Sequence, residues 1–197
     1  MQNLSTRQRI IEAAYTLFSE KGYHATSTRE IAKAASVSEV TLFRKFGNKE
    51  TLFKEVLNSK SIIPDLLDAV KKIEQSNLED VLFSLAKKFY NTLVSKKKFI
   101  MITFSEINKY SEKIIDIHQK IITQLDDFLV NIFLKYLDND NKKSDLKILV
   151  MAFRGMIFDL FLTNEIFLRK KNLKSNINDI LLSYVKIILN SLNKDYV

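Results

Sequence analysis

Apolar residues recur along most of this chain at intervals of three and four, the spacing of helices that bury one side. Ile10, Ile11, Ala14, Leu17 and Phe18 share a side of the first such segment, which Gly22 is expected to end as its C-cap. Ser27 followed by Glu30 has the spacing of a capping box and predicts a second helix. Ile31, Ala34 and Ala35 would form its apolar side, with Ala32 small enough to let another helix approach. After Ser36-Val37, Ser38 can cap a third helix in which Leu42 and Phe46 lie four apart on one face. Glu39, Val40, Thr41, Phe43, Arg44 and Lys45 then point elsewhere. Gly47 can end this helix and Asn48 can cap the next, KETLFKEVL.

Farther on, Pro64 and Asp65 suit the first turn of a helix, which sets a boundary within residues 58–64. A short amphipathic piece carries Leu66, Leu67, Val70 and Ile73, and a longer one carries Leu78, Val81, Leu82, Leu85, Phe89 and Leu93. The run FIMITF after Lys96-Lys97-Lys98 fits a buried strand or a helix, its lysines reading as a solvated face. From Ser111 a stripe of Ile114, Ile121, Leu125, Phe128 and Ile132 includes His118. The stretch ILVMAFRGMIFDLFL is apolar almost all round, which predicts burial on two sides, and it is too short and too charged to span a bilayer. A last stripe runs through Ile177, Ile180, Leu181, Tyr184, Val185, Ile188 and Leu192. With three glycines and one proline in 197 residues there are few places for strands to turn, so the fold should be all-α.

Composition narrows the chemistry. There is no cysteine, and the two histidines, His24 and His118, lie far apart in sequence, so neither disulfides nor a thiolate or histidine-rich metal site is expected. No phosphate-cradling glycine loop and no recognisable nucleophile–base pair is present, and no catalytic residue, metal or cofactor is assigned. The net charge is +8. Residues 1–60 carry ten Lys/Arg against six Asp/Glu, about twice the excess per residue of the remainder. The N-terminus MQNLSTRQR lacks an apolar segment and reads as cytoplasmic, with no membrane partner. Against that background the helix from Ser38 has a specific reading. A short helix held at its base by two apolar residues and showing basic, polar and methyl-bearing side chains can enter a DNA major groove. The alternative is an ordinary helical hairpin with a solvated face.

The pieces RIIEAAYTLFSEKGYHATSTREIAKAASVS and EVTLFRKFGNKETLF resemble, in order and in residues, the tetracycline-repressor (TetR) family of bacterial transcriptional regulators, over residues 7–57. The resemblance implies a three-helix helix-turn-helix DNA-binding domain over residues 1–60, including the start of a connecting helix. A larger helical effector-binding and dimerisation domain over residues 61–197 would follow. It makes the helix from Ser38 the recognition helix and gives Thr28 and Lys49 phosphate contacts. The DNA-binding candidates are then Thr28, Arg29, Ser38, Glu39, Val40, Thr41, Phe43, Arg44, Lys45 and Lys49. Two positions depart from the family. Ser36 stands where glycine is usual, so a non-glycine residue has to accept a left-handed backbone. Phe43 stands where tyrosine is usual and cannot donate a hydroxyl to phosphate.

The resemblance also favours helix for FIMITF and implies that the last two long helices pair with those of a second copy as a four-helix bundle. A central helix in a monomeric bundle is the alternative. The implied partners are double-stranded DNA with an inverted-repeat operator, a second copy of the chain, and a small, largely apolar effector. Ten of the fourteen phenylalanines follow residue 65, enough to line a pocket. Its candidate liners are Phe104, Glu106, Tyr110, His118, Arg154, Phe158 and Asp159, with Asn164 a further polar one. Arg154 and Asp159, five apart on a helix, cannot neutralise each other, and at least one is expected to face an internal polar site. A DNA-bound interaction protein of the same fold, with no effector, is the competing function.

Overall fold

Side-chain caps set the starts of the first helices in the computed structural model, which describes residues 4–71, 77–137, 143–168 and 177–192. Helix α1 (Thr6–Ala25) begins at a capping box of Ser5 and Gln8. Its spacing is the Ser-x-x-Gln of the sequence. Helix α2 (Thr28–Ala34) opens on the predicted box, with the Ser27 amide donating to Glu30 at 2.9 Å and the Glu30 amide donating to the Ser27 hydroxyl at 3.2 Å. Ser38 caps α3 (Glu39–Phe46) through the Thr41 amide, and Asn48 caps α4 (Lys49–Ser59) through the Thr51 amide at 2.7 Å. The later helices are α5 (Ile63–Lys71), α6 (Leu78–Ser95), α7 (Lys97–Ser105), α8 (Glu112–Tyr136), α9 (Lys143–Phe161) and α10 (Ile177–Leu192). A 3-10 turn at Ile107–Lys109 precedes α8, and a π-helical segment at Leu162–Leu168 follows α9. The fold is all-α, Pro64 sits in the first turn of α5, and FIMITF lies within the helix α7. No helix among the described residues is long and apolar enough to cross a membrane.

The chain forms two compact units, one of residues 1–61 and 96–121, the other of 62–95 and 122–197. In the first, α1, α2, α3 and α4 pack with α7 and the opening of α8 around Ile10, Phe18, Ile31, Leu42, Phe53 and Phe99. Phe18 meets Phe53 edge-on at 5.2 Å, a favoured aromatic geometry. Two details differ from the spacing argument. Ala32 and Ala35 are buried with Ile31 while Ala34 is exposed, and Lys96 is no solvated residue, since its ammonium donates to the carbonyl of Lys60 at 2.6 Å.

In the second unit α6 is the central element, packed against α5, α9 and α10. Leu82, Leu85 and Ala86 of α6, Phe133 of α8, Phe153 and Ile157 of α9 and Val185 of α10 are fully buried or nearly so. Ile73 lies outside the described residues. Helix α9 was expected to be buried on two sides, and the single chain covers one of them. Val150, Phe153 and Ile157 are all 0% exposed within the single chain. What remains uncovered on α9 and α10 is a different face, with Ile148 66%, Met151 50% and Ile187 52% exposed.

Candidate nucleic-acid interface

The eight residues of α3 span about 12 Å and are held from below by Leu42 and Phe46, both buried. Val40, Phe43, Arg44 and Lys45 are exposed, and Thr41 is half-buried with its hydroxyl against that of Ser38 at 2.9 Å. Glu39 departs from the expected outward set. Its carboxylate accepts a short hydrogen bond from the Thr28 hydroxyl, which ties the first turn of α3 to the first turn of α2. Thr28 therefore has its proton committed to Glu39 in the free protein. Arg29, one residue on, is exposed.

The turn before α3 is tight because Ser36 takes the left-handed conformation, φ 54°. The Val37 amide donates to the Ala32 carbonyl at 3.0 Å and the Ser36 amide to the Lys33 carbonyl at 3.1 Å, the two bonds of a Schellman closure. Serine is strained there by about 1 kcal/mol relative to glycine, and the two closing bonds hold it in place.

The other end of α2 rests on a clasp that the sequence did not reveal. Gly22 does not end α1; it breaks it, at φ 85°, ψ 170°, before a last short turn to Ala25. The break orphans backbone groups on both sides of the helix axis. Glu106, buried at the end of α7, accepts from the Tyr23 amide at 2.6 Å and the His24 amide at 3.3 Å. Lys49, at the start of α4, donates to the Tyr23 carbonyl at 2.8 Å and the Thr26 carbonyl at 2.9 Å, with its ammonium over the Tyr23 ring. Burial pushes the Lys49 ammonium below its ordinary value, and the Glu106 charge opposes that. Thr26 adds a bond to the Gly22 carbonyl at 2.7 Å. One carboxylate and one ammonium thus fix the junction from which α2 and α3 project. Lys49→Met is expected to lower stability by about 1 kcal/mol in denaturant titrations without DNA, the value for a charged hydrogen bond discounted for partial exposure. A variant as stable as wild type would show that the ammonium does not hold the turn.

The residues expected to line an effector pocket do not gather in one unit. Phe104, Glu106, Tyr110 and His118 belong to the first unit; Arg154, Phe158 and Asp159 belong to the second. Glu106 is spent on α1. Tyr110 is stacked between His24 and His118, at 5.9 Å from each, and its phenol is pushed up to about 12 by burial and then by the Glu106 charge. Burial pushes His118 down, and its Nε2 has no hydrogen-bond partner. Phe104 is exposed. In the second unit only Arg154 of the expected pair meets an internal polar group among the described residues. Arg154 is neutralised by Asp126 of α8, Nε to Oδ1 at 2.8 Å, and Asp159 is exposed. Phe158 packs on Phe161 at 5.9 Å. No group of three or more metal-ligating side chains exists among the described residues.

Residues 10–56 match the family model for bacterial regulatory proteins of the tetR family. The chain is 36% identical over 101 residues to the HTH-type transcriptional regulator YvkB of Bacillus subtilis, which covers 51% of this chain and 52% of YvkB. It is 34% identical over 73 residues to the HTH-type transcriptional repressor KstR2 of Rhodococcus jostii, 37% of this chain and 35% of KstR2. The matched sequence thus spans about half the length of one relative and about a third of the other. The fold extends further. A TetR-family transcriptional regulator from Mesorhizobium loti superposes with a TM-score of 0.78 at 21% identity, over 94% of this chain and 96% of that one.

Proposed function

We infer from the match of residues 10–56 that the chain belongs to the TetR family of bacterial regulatory proteins, and propose that it is a homodimeric DNA-binding transcriptional regulator, a repressor released from an inverted-repeat operator by a small, largely apolar ligand. The observation that carries the DNA reading is α3 itself, clamped by Leu42 and Phe46 while Val40, Phe43, Arg44 and Lys45 stand free of the core. Arg44 supplies the fork suited to guanine, and Val40 and Phe43 supply apolar contact for a thymine methyl. Phosphate contacts from Thr28, Arg29, Ser38 and Lys49 would supply position and most of the affinity. Lys49 has three N–H donors, of which the clasp uses two, so one remains for phosphate. Thr28 must exchange Glu39 for phosphate, which makes its contact conditional on DNA.

Dimerisation is supported by the face that α9 and α10 leave uncovered, with Ile148, Met151 and Ile187 exposed. Repression takes support from the name of KstR2, a transcriptional repressor. A ligand bound by the helical domain can shift the regulator off DNA only by as much as it favours the released state.

The test is selection of binding sites from random DNA. Two recognition helices related by a two-fold axis should recover an inverted repeat with half-sites on the order of 35 Å apart. Arg44→Ala should change the preferred base at one position of each half-site. Recovery of a single half-site would sink the dimer, and an unchanged consensus with Arg44→Ala would remove Arg44 as a base reader.

A further inference from the structure

Two polar side chains lie deep in the second unit with hydrogen-bonding atoms unused. Tyr90, on the central helix α6, is 4% exposed, and Asn164, in the π-helical segment after α9, is 6% exposed. Neither Tyr90 Oη nor Asn164 Nδ2 completes a hydrogen bond to any protein group. The Asn164 amide lies near enough to the phenol to counteract the upward push of burial, but in a geometry that completes no hydrogen bond. Closing the pair on itself through one amide N–H would still leave the phenol proton and the second amide proton over. An unmet buried donor lowers stability, and native proteins carry few without reason. The backbone adds a second observation. π-Helical backbone is rare and frequently marks functional sites, and here it is the segment that carries Asn164, its one buried residue.

We propose that Tyr90 and Asn164 form the polar end of the effector site, and that they take the neutral carbonyl oxygen of an otherwise apolar molecule, such as an ester or ketone, rather than a carboxylate. The inference rests on the effector reading above. Both unused atoms are donors, so the ligand must bring an acceptor. Both donors are neutral, so nothing they supply offsets the cost of burying a carboxylate there, whereas a neutral carbonyl is satisfied by them. Ala86 and Leu93, one turn before and after Tyr90 on α6, and Leu160 and Phe161, one turn before Asn164, are buried and apolar, matching an apolar body.

The experiment uses the full chain with methyl decanoate and with decanoate, the same chain ending in a neutral ester or an anion. Without ligand, Tyr90→Phe should leave the thermal midpoint unchanged or raise it, because the hydroxyl it removes has no partner. A fall would show the phenol already satisfied and would overturn the proposal. By calorimetry the ester should bind wild type at least about tenfold more tightly than the anion. Tyr90→Phe and, separately, Asn164→Leu should each weaken the ester by about three- to tenfold, the loss of one neutral hydrogen bond, and leave the anion unaffected. No ester binding, tighter binding of the anion, or an ester affinity untouched by both variants would each overturn it. Ester binding that obeys the variants without releasing operator DNA would keep this site and remove the effector role. Release that ignores both variants would keep the effector role and remove this site.

Discussion

Gly22→Ala is expected to destabilise the first unit by about 4 kcal/mol, more than any exposed substitution on the same helix. Two costs combine. The backbone at φ 85°, ψ 170° is a conformation essentially reserved to glycine, worth about 1–3 kcal/mol to any other residue. The new methyl would also lie 2.6 Å from the Glu106 carboxyl carbon, and such overpacking costs about 1–3 kcal/mol. Glu106 cannot swing aside without dropping the amides of Tyr23 and His24. Urea denaturation measures the loss, and a change below about 0.5 kcal/mol would mean that neither the strain nor the clash exists. The double variant with Glu106→Ala separates them. It relieves the clash but not the backbone, so its cost should fall short of the sum of the two single changes.

Arg154→Met is expected to cost about 2–3 kcal/mol, because it strips the partner from Asp126, which is 5% exposed. The lower end of the range for breaking a buried pair applies because the arginine side chain is itself 24% exposed. Adding Asp126→Leu should recover most of the loss, since two apolar residues of similar volume can replace a buried pair with little net change. Thermal or denaturant unfolding of the two variants decides the matter. A double variant no more stable than Arg154→Met would show that Asp126 draws its stabilisation from elsewhere. The result also bears on ligand recognition, because an arginine already neutralised by α8 is not waiting for a ligand's carboxylate. That agrees with assigning the effector's polar end to Tyr90 and Asn164.

What the sequence by itself determined is what neighbours along the chain can decide. The box at Ser27 and the caps at Ser38 and Asn48 involve groups within a few residues and stand where their spacing put them, and Ser36 takes the left-handed backbone that the resemblance implied. Leu42 and Phe46 were legible as the base of α3 because a helical period of 3.6 leaves them no other common face. Gly22, Glu106 and Lys49 show the limit. A glycine near a helix end looks like a cap, and only the carboxylate arriving from 83 residues away explains why the backbone breaks there and cannot carry a side chain. The same limit governed the apolar helix α9. Its composition announced two buried sides, but which side the chain covers itself depends on where α6, α8 and α10 pack. That packing took Val150, Phe153 and Ile157 into the core and left Ile148 and Met151 outside. Arg154 and Asp159 were correctly read as unable to pair with each other, since that follows from helical geometry alone. That one would find Asp126 and the other water was decided by tertiary structure, because the partner of a charge is set by what packs against it rather than by what precedes it in the chain.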